Sequence, residues 1–190
     1  MSFVQELLRD LGGPVAKELG QREGMSEDQS KSLLEGLAPV VLGGLKRRQE
    51  QGVDVESLAR QLGAREEGVD QPGSFFDGPA EADLKEMGGL DQAKQEQAAQ
   101  ALAQKAGIGV DLAKKVLPVL IPVVLSYLMR KGSQDGATPD RRSGMSAILD
   151  RDGDGKIIDD LAGMVLAGHA GGRGKGGLLA MILAFFTGRK

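Results

Sequence analysis

Residues Val116–Met129 read VLPVLIPVVLSYLM, and the fold turns on how that stretch is folded. It is apolar on nearly every side of a 3.6-residue period. A helix of that kind is buried all round rather than on one face. The reading predicts a central helix over 115–129. Pro118 and Pro122 remove backbone donors and crowd the preceding turns, so this helix is expected to kink or split. No stretch of the chain sustains an apolar–polar alternation, so no sheet is expected.

The same pattern occurs earlier in the chain. An 83-residue slide lays 15–48 over 98–131 without a gap. Leu19 falls on Leu102, Gly24 on Gly107 and Asp28 on Asp111. Leu34 and Leu37 fall on Leu117 and Leu120, and PVVL at 39–42 on PVVL at 122–125. Leu45 and Arg47 fall on Leu128 and Arg130. An internal repeat of this kind predicts two similar helical units, with 32–46 as the partner of the central helix.

Each unit reads as two helices joined by a tight turn. Phe3, Leu7, Leu11, Val15 and Leu19 form an i, i+4 stripe that would face a core. The GGP at 12–14 is expected to break or kink that helix, with Pro14 in the first turn of a new one. Gly24 and Gly107 suit the left-handed residue that ends a helix. Ser26 with Gln29 makes a capping box. Pro39 is expected to distort the second helix as Pro118 and Pro122 would. A shorter amphipathic helix is expected over 53–63, with Asp54 as its cap. DQPGSFFDGPAEAD at 70–83 reads as loop.

Composition narrows the chemistry. Aromatic residues make up 3% of the 190, with no Trp, so the core must be aliphatic. The net charge of −3, with acids and bases intermixed, argues against a broad nucleic-acid surface. There is no cysteine, which excludes disulfides, thiol catalysis and thiolate metal sites. The start MSFVQELLRDLGG carries Glu6, Arg9 and Asp10 among its apolar residues, unlike a signal peptide. A cytoplasmic location is the resulting expectation. No uninterrupted run reaches the roughly 18–20 apolar residues of a membrane span. Leu178–Phe186, LLAMILAFF, is half that length.

The one stretch with distinctive chemistry is ILDRDGDGKIIDDL at 148–161. Asp150, Asp152 and Asp154 occupy positions 1, 3 and 5 of a calcium loop, and Gly155 takes position 6, where the chain must turn sharply. Lys156 at position 7 would offer its backbone carbonyl, and Ile157 supplies the apolar position 8. This is the first half of an EF-hand pattern. Alternate side chains of a curled loop converge on one point, and carboxylates crowded there repel one another unless a cation joins them. The second half departs from the pattern, since Leu161 stands where a bidentate Glu would close the site. Asp159 and Asp160 are the candidates to close it from the following helix. A simpler reading is an Asp-Gly turn with Asp159 capping that helix. That reading accounts for one or two aspartates, not for five in this spacing.

Shortened loops of this sort resemble those of dockerin and thrombospondin-type calcium modules. With the Gly-rich stretch that follows, ILDRDGDGKIIDDLAGM resembles the C-terminal part of the YidB-like bacterial family. The resemblance covers about 98–180 and, through the repeat, extends to 15–48. It implies a small, mostly helical domain of unknown function. It marks Asp150, Asp152, Asp154, Asp159 and Asp160, and it brings no activity with it. The charged GHAGGRGK departs from the family's tail.

Other motifs carry less. His169, the single histidine, sits at an expected helix end, where a cation is favoured. GGRGKGG at 171–177 follows no strand and lacks the Lys-Ser/Thr of a P-loop, so it reads as a tether. ALAQKAGIGVDLAKKVL at 101–117 faintly resembles a helix-turn-helix. Its second helix, however, runs into apolar sequence instead of polar side chains for base edges.

The expected fold is all-α. A first helical unit spans 1–65, an acidic Gly-rich loop 66–90, a second unit 91–131 and a linker 132–145. The aspartate loop and its helix follow at 146–168, then a Gly-rich tether with an apolar helix at 169–190. The expected function is a non-enzymatic, calcium-binding structural or interaction protein, as a homo-oligomer or with a protein partner. The alternative is a membrane-surface or self-assembling protein acting through Leu178–Phe186, with Arg173, Lys175, Arg189 and Lys190 around it. DNA binding ranks third.

Overall fold

The computed structural model describes residues 3–77 and 92–135, with side chains from residue 95 in the second segment. Five α-helices and two short 3-10 turns make up these residues, and no strand occurs among them. In chain order they are α1 (Phe3–Glu23), α2 (Glu27–Glu50) and α3 (Val55–Gln61), the turns Glu66–Val69 and Pro72–Phe75, then α4 (Gln92–Ala106) and α5 (Val110–Asp135). The all-α expectation holds for the described chain.

α1 and α2 form one antiparallel hairpin, and α4 and α5 form another. α2 packs on both α1 and α4, while α5 touches every other described element. Val116–Met129 therefore lies at the centre, with Leu120, Ile121, Val124, Leu125 and Leu128 fully buried. The α1 stripe is equally well placed, with Phe3, Leu7, Leu11, Val15 and Leu19 all in the core. The cluster is chiefly aliphatic, as the scarcity of aromatics requires.

Caps mark the helix boundaries as expected. The Ser26 hydroxyl accepts from the Gln29 amide at 3.2 Å, and the Gln29 side chain accepts from the Ser26 amide at 2.9 Å. Asp54 accepts from the Glu56 amide and from the Ser57 hydroxyl. These bonds lower the Asp54 pKa, with the Ser57 contribution the largest. Gly24 (φ 67°) and Gly107 (φ 66°) both take the left-handed conformation, which lets the chain reverse without a Cβ penalty. These glycines stand 83 residues apart, as do the starts of α2 and α5.

Three expectations need correction. First, GGP at 12–14 does not break α1, which runs through Pro14 to Glu23. Second, Pro39, Pro118 and Pro122 do not split their helices, which continue past them. Each interior proline costs about 3 kcal/mol in an isolated helix. Here the flanking residues are core on successive turns, so breaking the helix would also uncover Leu7, Leu11, Val15 and Leu19, or their counterparts on α2 and α5. Third, α5 as a whole has the length and composition of a membrane span. Yet 72% of its apolar window is buried inside the bundle, where a soluble protein also places such a helix.

The segment expected to be loop over 66–90 begins as two 3-10 turns that bury Val69, Pro72 and Phe75. The linker expected over 132–145 starts as the last turn of α5.

Candidate functional site

A cluster of side-chain hydrogen bonds and ion pairs lies where α5, the 3-10 segment and α1 meet. Ser126, Tyr127, Arg130, Lys131 and Ser133 supply this seam from the last three turns of α5. The Tyr127 hydroxyl donates to the Asp10 carboxylate at 2.8 Å. A tyrosine buried in an aliphatic core needs such a partner for its hydroxyl. Burial raises the Tyr127 pKa first, and the hydrogen bond to Asp10 adds to it. Asp10 also accepts from Arg9 at 2.8 Å. The Arg9 bond, then the Tyr127 bond, hold its carboxyl below the usual carboxylate range.

Lys131 pairs with Glu6 at 2.9 Å and sits 5.9 Å from the centre of the Tyr127 ring. Arg130 donates to Asp70 at 2.6 Å, which raises its already high pKa. Ser133 donates to Glu66 at 2.9 Å. A small cleft of about 240 Å³ opens among Asp10, Tyr127, Arg130 and Lys131. Its cations and carboxylates are matched in pairs that tie α1, α5 and the 3-10 segment together.

A second, more open cleft of about 450 Å³ lies between α1 and residues 70–77. Arg22 organises it. Its guanidinium donates to Glu18 at 3.1 Å, to Asp77 at 2.7 Å and to the Phe76 carbonyl at 3.4 Å. It also lies 5.5 Å from the Phe76 ring centre. Asp77 first, then Glu18, raises the Arg22 pKa. Across the turn, Arg65 covers the Phe75 ring at 4.8 Å and donates to the Ser74 carbonyl at 3.0 Å.

The sequence-predicted metal ligands are elsewhere. Asp150, Asp152, Asp154, Lys156, Asp159 and Asp160 all lie outside the described residues, as do His169 and Leu178–Phe186. Among the described residues, no group of three or more His, Cys, Asp or Glu side chains is arranged to hold a metal ion. The helix-turn-helix-like stretch does form α4, a turn at Gly107 and α5. However, Ala113, Val116, Leu117 and Leu120 turn the second helix into the core.

Sequence reasoning did not find the Tyr127–Asp10 or Arg22–Asp77 contacts, which join residues 117 and 55 apart. A faint signal existed for the first: Tyr127 is the single tyrosine, set in an otherwise apolar run. The FF pair in an apparent loop was the signal for the second.

Neither the curated proteins nor the solved structures contain a significant match to this chain. The family described as "Bacterial protein of unknown function (DUF937)" matches residues 5–131, which takes in all five helices but for the ends of α1 and α5. The chain therefore belongs to the DUF937 family of bacterial proteins of unknown function.

Proposed function

We propose that this protein is a non-enzymatic helical scaffold that binds calcium through the loop at 150–160, and that within its family it is YidB-like. The carrying observation is the spacing of Asp150, Asp152 and Asp154 before Gly155, with Asp159 and Asp160 following. Calcium takes six to eight oxygens, and the Lys156 backbone carbonyl would join the carboxylates. Magnesium fits less well, because it demands a tighter octahedron and gives up its water reluctantly. The α1–α2 and α4–α5 hairpins act in this reading as two copies of one unit. The shared 83-residue spacing of their caps and matched residues supports that.

Titration calorimetry on the full chain tests the proposal. Calcium should give a saturable heat and raise the melting temperature, and Asp152→Ala should abolish both. A wild-type chain with neither heat nor thermal shift would overturn it.

A second reading rests on LLAMILAFF at 178–186, flanked by basic residues. Such a segment would bind a membrane surface or a second copy. Flotation with anionic liposomes, with and without residues 176–190, separates it from the first. Calcium-independent flotation that depends on the tail would favour this reading.

A further inference from the structure

We draw no further inference here: the strongest candidate, the open cleft between α1 and residues 70–77, belongs to the site already described, its Arg22 being paired with Glu18 and Asp77 and its Asp70 with Arg130, and nothing among the described residues shows what would occupy it.

Discussion

The Tyr127 hydroxyl donates to the Asp10 carboxylate at 2.8 Å, closing α5 onto α1 across most of the described chain. The contact links two titrations of opposite sign. Tyr127 is raised from its ordinary value of 10.0, so the folded state holds its proton more tightly than the unfolded chain does. Stability from this group is intact below about pH 10 and falls as pH rises beyond it. Asp10 is lowered from 3.8, so its contribution is present above that value and is lost as pH falls through its folded pKa. Tyr127→Phe should cost about 1 kcal/mol at neutral pH. It should also remove the alkaline loss and weaken the acid one. Urea melts across pH check this, and the tyrosinate absorbance of the wild type reports the single tyrosine directly. An alkaline loss unchanged in Tyr127→Phe would refute the assignment.

Two helical glycines should respond differently to alanine. At Gly36 a Cβ would meet Leu102 at 2.8 Å and Lys105 at 3.0 Å. Overpacking costs about 1–3 kcal/mol. That outweighs the gain in helix propensity, about 1 kcal/mol, because Leu102 is fully buried and has little room to move. Gly13 also sits in a helix, but a Cβ there meets nothing within 4 Å. Gly13 precedes Pro14, however, and the proline Cδ crowds the Cβ of a helical residue before it, which offsets the gain in helix propensity. Gly13→Ala should therefore melt close to wild type, while Gly36→Ala should melt lower.

Ser26→Ala removes one arm of the capping box that starts α2 and should cost about 1 kcal/mol. Gln29→Ala should cost more, because the Gln29 side chain also donates to the Gly107 carbonyl at 3.1 Å and ties the two hairpin turns together. Equal losses in the two variants would show that the tie between the turns contributes nothing.

Ser126 is fully buried, and its hydroxyl accepts from the Arg65 amide at 2.8 Å while donating to the Pro122 carbonyl at 2.6 Å. Ser126→Ala strands the Arg65 N–H in a partly buried position, at a cost of about 1–3 kcal/mol. The loss should appear locally as faster amide exchange over 65–77. Exchange there that matches wild type would contradict the role given to this bond.

The helices and their ends were legible in the sequence because short-range physics sets them. The Phe3–Leu19 stripe, the Ser26–Gln29 box, the Asp54 cap and the glycines at 24 and 107 each act within a turn or two, and the apolar run of α5 announced its own burial. The prolines misled. Local propensity breaks a helix at Pro14, Pro39 or Pro118, but burial on both sides of each outweighs the lost backbone bond. Only the tertiary structure brought Tyr127 to Asp10, Arg130 to Asp70 and Arg22 to Asp77, because long-range polar pairs leave no periodicity in a chain. It also turned an apparent loop at 70–77 into a segment packed between α1 and α5, where Phe75 is buried and Phe76 partly so. Two phenylalanines in a polar stretch find that cover only once α1 and α5 are in place.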